Sequence, residues 1–286
     1  MSSKATLIKF DSKLTSIEDA LDASNLNFIT ESSELLGATS GLVAPDHKML
    51  YRPDTNQVLG IVGRNYQPIQ NSLAMAFMDV IVQEHGFTYK KAISRNNGAT
   101  SVIVAESERT TAIRVGDEVS KEIKLVNGFD GKNGFSVEFS MLRLVCLNGM
   151  VKPEKESAIK FKHTINVESR METALKVFNK SINIHEQFIA QSKALAQKAL
   201  DKAMVEEFLN NLWPSESNKN DKKKERILEI AHTGKGNTGN TMWDLYNGVT
   251  EWVDHYASKD ENRTDYANFG SGVKLKEKAW NLANTL

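Results

Sequence analysis

Residues 100–146, "TSVIVAESERTTAIRVGDEVSKEIKLVNGFDGKNGFSVEFSMLRLVC", decide the fold. Together with "FTYKKAIS" (87–94) they form short runs of β-branched and aromatic residues, separated by "NNGA", "SER", "GDE" and "NGFDGKNG". Such runs read as strands and the separators as turns, so the segment is expected to be an antiparallel meander. In the last run, Phe135, Val137, Phe139, Met141 and Val145 fall on one face by alternation, and Arg143 falls on the same face. A buried arginine there needs a partner.

Upstream, "KMLYRPDTNQVLGIVG" (48–63) places two strand-like runs around Pro53-Asp54-Thr55-Asn56, which predicts a hairpin. A helix is expected from about Ser72 to Gly86, with Leu73, Phe77, Val80 and Ile81 on one face and Asn71 or Ser72 as its cap. Residues 1–40 read as a lead-in containing a short helix, "SIEDALDA", followed by a loop, "TESSELLGATSG".

Downstream, Met171, Leu175, Phe178, Ile182, Ile189 and Leu195 follow a helical period, predicting one long amphipathic helix from Asn166 to about Trp213. The polar stretch 214–226 reads as a linker or exposed loop, and helices are expected around 222–232, 241–257 and 271–284. The fold class is therefore α+β: an antiparallel β-meander with a flanking helix, then a long amphipathic helix and a helical C-terminal region. The expected organisation is a lead-in (1–40), an α+β core (41–213), a linker (214–226) and a helical region (227–286).

The chain has 36 basic and 36 acidic side chains, so no global field marks a nucleic-acid partner. Residues 143–180 nevertheless carry eight Lys/Arg against four Glu, a basic excess of 8 − 4 = 4. No apolar stretch approaches the ~20 residues of a membrane span, and a signal-type leader is not evident, so a cytoplasmic protein with no membrane partner is expected. The one cysteine, Cys146, lies in an apolar run and reads as a small buried hydrophobe.

Gly234-Lys-Gly-Asn-Thr-Gly239 fits the glycine pattern of dinucleotide sites. That chemistry requires a preceding strand, whereas "KKKERILEIAH" reads as helix, so a helix-helix connection capped by Asn240 or Thr241 is the expectation. Free N–H groups there, with Lys235, offer a weaker phosphate-binding alternative. Lys160, Lys162 and Thr164 alternate with Ile159 and Phe161, and His163 adjoins them. A phosphate-facing strand and a lysine-protected edge strand account equally for that pattern. Glu251 and His255 stand at i and i+4 with Asp254 beside them, too few ligands to define a metal site. His185 continues the long helix's apolar stripe and reads as an interior residue.

Several blocks, taken in order, resemble one family: "LGIVGRNYQPIQN", "NGFDGKNGFSVEFSMLRLVCLNGMV", "IKFKHTINVESRMETALKVF", "TMWDLYNGVTEWVDH" and "NRTDYANFGSG". They are similar to the phage/plasmid-like family described as the domain of unknown function 932, over roughly 40–286. In "NGFDGKNG" the family pattern more often reads Asn-Ser-His-Asp-Gly. Phe129 stands in place of that histidine, which puts a catalytic histidine there in doubt. The resemblance implies a role in mobile-element DNA metabolism, and the element order is similar in outline to ring-forming single-strand annealing recombinases such as Erf, RecT and Red-beta.

The expected function is non-enzymatic binding and annealing of single-stranded DNA in the bacterial host cell by a homo-oligomer, without a cofactor. Arg143, Lys160, Lys162, His163, Arg170 and Lys235 are the candidate phosphate contacts, and Tyr66 or Phe161 candidate stacking surfaces. A metal-dependent nuclease or other hydrolase using Glu251, Asp254 and His255 is the alternative, and a host-interaction protein without DNA affinity is the third.

Overall fold

The computed structural model describes residues 5–76, 78–150, 158–161, 167–214 and 218–286. The chain is α+β, with antiparallel pairing in both of its sheets. The larger sheet has the order β1-β5-β6-β7-β8-β10, formed by Ala5–Leu14, Phe87–Arg95, Thr100–Arg114, Asp117–Gly128, Phe135–Arg143 and Ala158–Phe161, with β9 (Asn148–Met150) also paired to β8. The smaller sheet comprises β2 (Glu31–Leu36), β3 (Val43–Arg52) and β4 (Gln57–Gly63) in that order.

The meander forms as expected along β5 to β8. "SER" is not a turn, however: β6 runs unbroken through it, because charged residues on an exposed stretch do not interrupt pairing. "ESSELL" is a strand rather than a loop, since Ser33 pairs with Met49 and the Tyr51 hydroxyl donates to Glu31 at 2.8 Å. The hairpin of β3 and β4 turns at Pro53–Asn56, with Asn56 at φ 54°.

The helices of the first half are α1 (Ile17–Ala23), α2 (Asn71–Met75) and α3 (Met78–His85). Leu73 is 51% exposed, while Ala74, Met75, Met78 and Val82 are buried; Phe77 and the side chains of Val80 and Ile81, the other members of the expected face, lie outside the described residues. Asn71 does not cap α2. Its amide is buried, donating to Leu26 O at 2.8 Å and Ser101 Oγ at 3.0 Å, and it accepts from Asn127 Nδ2 at 2.9 Å.

The long helix is two. After α4 (Val167–Gln197) the chain breaks at 198–201, and α5 (Lys202–Leu212) starts with the Asp201 carboxylate accepting from Met204 N at 2.8 Å. The inward stripe of α4 passes through His185, Phe188, Ser192 and Leu195. α6 (Asn218–Thr233) begins inside the stretch expected to be a linker. It is followed by α7 (Met242–Glu251), a π-helical turn (Trp252–Tyr256), α8 (Asp260–Asn268) and α9 (Ser271–Thr285).

Two compact units divide the chain. The first contains residues 1–108, 123–138 and 158–179, and the second 109–122, 139–157 and 180–286. In the first, Leu21, Leu50, Met75, Tyr89, Ile103 and Phe129 are fully buried. Phe129, at the position discussed above for the family's histidine, meets Phe28 with ring centroids 5.8 Å apart and belongs to this core. In the second, Phe188 stacks on Trp280 at 4.2 Å, and Tyr246 meets the same indole edge-on at 5.2 Å. Helices α6 and α7 approach closely at Gly248, where a Cβ would lie 2.8 Å from Ile227 O.

Candidate functional site

The second unit concentrates the polar chemistry at the connection between α6 and α7. Arg114 and Asp117 flank the two-residue turn Val115-Gly116, one at the end of β6 and the other at the start of β7. Arg143, at the end of β8, is 0% exposed. Its Nε and Nη2 donate to the two oxygens of Asp117 at 2.7 and 2.6 Å. Trp243 Nε1 donates to the same carboxylate at 2.8 Å, and Arg114 Nε stands 3.4 Å from it. This is the partner that a buried arginine requires, and bidentate geometry is the strong form of such a pair.

The arginines hold the glycine-rich connection. Arg143 donates to Gly236 O and to Asn237 Oδ1, both at 2.8 Å, and Arg114 donates to Gly236 O as well. Gly236 has φ 74°, and a Cβ there would be 2.7 Å from Val145 Cγ1. Glycine is therefore required by both conformation and space.

The connection does collect N–H groups around an anion, but the anion is the chain's own Asp244. Its carboxylate accepts from Thr238 N at 3.1 Å, Asn240 N at 3.3 Å and Thr241 N at 3.2 Å, and from the Thr238 and Thr241 hydroxyls at 2.8 Å. Arg114 completes the shell. Thr241 caps α7, with Asp244 closing a reciprocal capping box, as the sequence indicates for a helix start. Burial pushes the Asp244 carboxyl up, but Arg114 and the two threonines outweigh it and hold its pKa down to about 2. The place a phosphate would take at this helix start is thus filled from within.

Beside this assembly lies a cavity of about 380 Å³. Cys146, Arg226, Ile230, Gly234, Lys235, Glu251, His255 and Tyr256 contribute to its lining. Glu251 is 8% exposed, and its Oε2 is buried with no hydrogen-bond partner. Burial pushes its carboxyl above the usual range, opposed in part by His255, Arg143, Arg226 and Lys235. His255 Nε2 lies 2.9 Å from the Asn148 amide and 3.3 Å from Cys146 O. Tyr256 is 50% exposed, with the Arg226 guanidinium 4.8 Å from its ring centroid. The π-helical turn, closed by Ala257 N donating to Trp252 O at 2.8 Å, advances the helix phase. It leaves Tyr256 exposed, and π-turns recur at functional sites for this ability to re-aim side chains.

Burial raises the Cys146 thiol, with Arg143 acting against it, so the thiol is protonated at neutral pH. Leu147, the next residue, has φ 58° and is exposed. A branched side chain in the left-handed region is an uncommon and strained arrangement.

Of the expected contacts, Lys235 is exposed at the cavity, whereas Arg143 is enclosed and fully occupied by Asp117 and the connection. Lys160 is exposed on β10, the terminal strand of the larger sheet, within the first unit. Lys162 and His163 lie outside the described residues, as does the side chain of Arg170, a residue of α4. Phe161 ends β10, its side chain likewise outside the description. Tyr66 is half-buried, its hydroxyl donating to Gly128 O at 2.9 Å. Of the alternative trio, Glu251 and His255 share the cavity. Asp254 is engaged elsewhere, by Lys276 Nζ at 2.8 Å and Gly149 N at 2.9 Å. Among the described residues, no group of three or more His, Cys, Asp or Glu is placed to hold a metal ion. No described helix is long and apolar enough to cross a membrane.

Neither the curated proteins nor the solved structures contain a significant match to the chain. The family model of the domain of unknown function 932 matches residues 58–280, which takes in the cavity, the arginine-held connection and most of both units. The chain belongs to the family of the domain of unknown function 932.

Proposed function

We propose that this protein binds single-stranded DNA through the surface of its second unit, without catalysing a covalent step. The observation that carries the reading is a basic helix side bordered by aromatic rings. Lys219, Lys222, Lys223 and Arg226 follow three- and four-residue spacing along α6 and share one side of it, with Lys235 beyond its end. Lys223 Nζ lies 5.4 Å from the Trp213 ring centroid, and Arg226 sits over Tyr256. Cations that follow a phosphate backbone, alternating with rings on which bases stack, are the two elements of sequence-tolerant single-strand binding.

In this reading Arg143 positions Gly236 and Asn237 rather than touching nucleic acid. Lys160, Lys162, His163 and Arg170 are kept as further candidate phosphate contacts on the strength of the sequence alone. A homo-oligomer that keeps strands extended would account for annealing, which links the proposal to phage- and plasmid-borne recombination or replication and to the annealing recombinases.

Fluorescence anisotropy with labelled single- and double-stranded oligonucleotides across a salt series tests this. Single-strand affinity should fall with salt, and Arg226→Ala with Lys235→Ala should reduce the logarithmic slope by about 1.4, at ~0.7 per phosphate contact. No binding at low salt refutes the proposal.

A further inference from the structure

We infer that the cavity lined by Glu251 and Tyr256 is a pocket for one unpaired nucleobase with N–H donors on its Watson–Crick edge, guanine foremost. The inference rests on the nucleic-acid reading above and adds a base preference to it.

Four observations support it. Glu251 is more than nine-tenths buried on the cavity wall, and its Oε2 has no hydrogen-bond partner. A buried acceptor without a donor is costly, so a ligand that brings N–H groups gains by relieving it. Tyr256 presents a half-exposed ring at the same cavity, a surface on which a base can stack. Arg226, which also pairs with Glu229, and the exposed Lys235 line the cavity and supply cations for a nucleotide's phosphate. The volume of about 380 Å³ falls in the range of roughly 300–1,000 Å³ usual for small-molecule sites.

The carboxylate determines which base fits. Guanine offers adjacent N1–H and N2–H donors, which match a carboxylate. Thymine and uracil offer one N–H between two carbonyl oxygens, which a carboxylate repels. Adenine and cytosine fall between, each with one amino group beside a ring acceptor. Carboxylate recognition of base amino groups is an established mode of readout.

The test compares an all-thymine oligonucleotide with the same oligonucleotide carrying one central guanine, by anisotropy, with guanosine and thymidine monophosphates as competitors. The guanine-bearing strand should bind about five- to a hundredfold more tightly. Glu251→Gln should abolish that ratio while circular dichroism shows the fold retained. Tyr256→Leu, at a half-exposed position, should weaken binding of the guanine strand without unfolding the protein. Equal affinity for the two strands overturns the pocket and leaves strand binding standing. Guanosine monophosphate binding without strand binding supports the pocket for a free nucleotide and overturns the strand reading. Binding of neither overturns both.

Discussion

Replacing Asp244 by asparagine separates charge from shape at the centre of the second unit. Asparagine retains one acceptor oxygen but turns a donor amide toward N–H and hydroxyl groups that themselves donate, and it removes the counter-charge of Arg114. Breaking one partner from a buried pair costs about 3–5 kcal/mol; with Arg114 partly exposed, the lower part of that range applies, about 3 kcal/mol. The pH dependence gives an independent magnitude. Asp244 is depressed from 3.8 to about 2, and a difference of roughly 1.8 units at ~1.4 kcal/mol each is about 2.5 kcal/mol. Because the folded value lies below the unfolded one, this contribution is complete above about pH 5 and is lost as pH falls through 4 towards 2. All four tryptophans, Trp213, Trp243, Trp252 and Trp280, belong to the second unit, so urea unfolding followed by tryptophan fluorescence reports on it. The wild type should exceed Asp244→Asn by about 3 kcal/mol at pH 7, and the gap should narrow by about 1 kcal/mol at pH 3 and about 2 kcal/mol at pH 2. A loss under about 0.5 kcal/mol at pH 7, or a gap independent of pH, refutes the account of Asp244 as the internal anion of this connection.

Glu251→Gln should raise stability by about 1–3 kcal/mol at pH 7, since it removes the negative charge of a buried carboxylate, one of whose oxygens lacks a partner. Its folded pKa is raised, so the cost is absent below the ordinary carboxyl range and grows as pH rises; thermal melts of the two proteins should converge near pH 4. Gly236→Ala, which combines a left-handed backbone with a contact 2.7 Å from Val145, should cost clearly more than Gly41→Ala, which is left-handed but meets nothing within 4 Å; similar denaturation midpoints would contradict this. Cys146 should react with iodoacetamide at pH 7 much more slowly than a free thiol, because burial raises its pKa, and rapid labelling of the folded protein would oppose that placement.

Local chemistry made much of the fold legible. The Pro-Asp-Thr-Asn turn, the β-branched runs of the meander and the Thr241 cap each depend on residues within one turn of the chain. β1 and β2 were missed because they are largely exposed and carry Glu, Ser and Lys, so their pairing leaves little hydrophobic alternation to read. The break after α4 contains neither proline nor glycine; it is set by long-range pairing, with Ala199 bridging to Thr241.

The site was legible only in part, for the same reason. That Arg143 needs a partner follows from strand periodicity, but nothing local designates Asp117, 26 residues earlier. Arg114 and Asp244 meet across 130 residues. A regular helical period from Met242 would place Tyr256 on the buried side, and the π-helical turn that accompanies its exposure leaves no mark in composition. Lys235, by contrast, could be identified from its place between glycines at a helix end.

Photo-crosslinking of a labelled single-stranded oligonucleotide, followed by peptide mapping, is the measurement that tests the central claim most directly. The account predicts adducts in residues 213–256, with Tyr256 foremost and Trp213 next, that disappear at high salt. Adducts confined to other parts of the chain, or none at low salt, would contradict it.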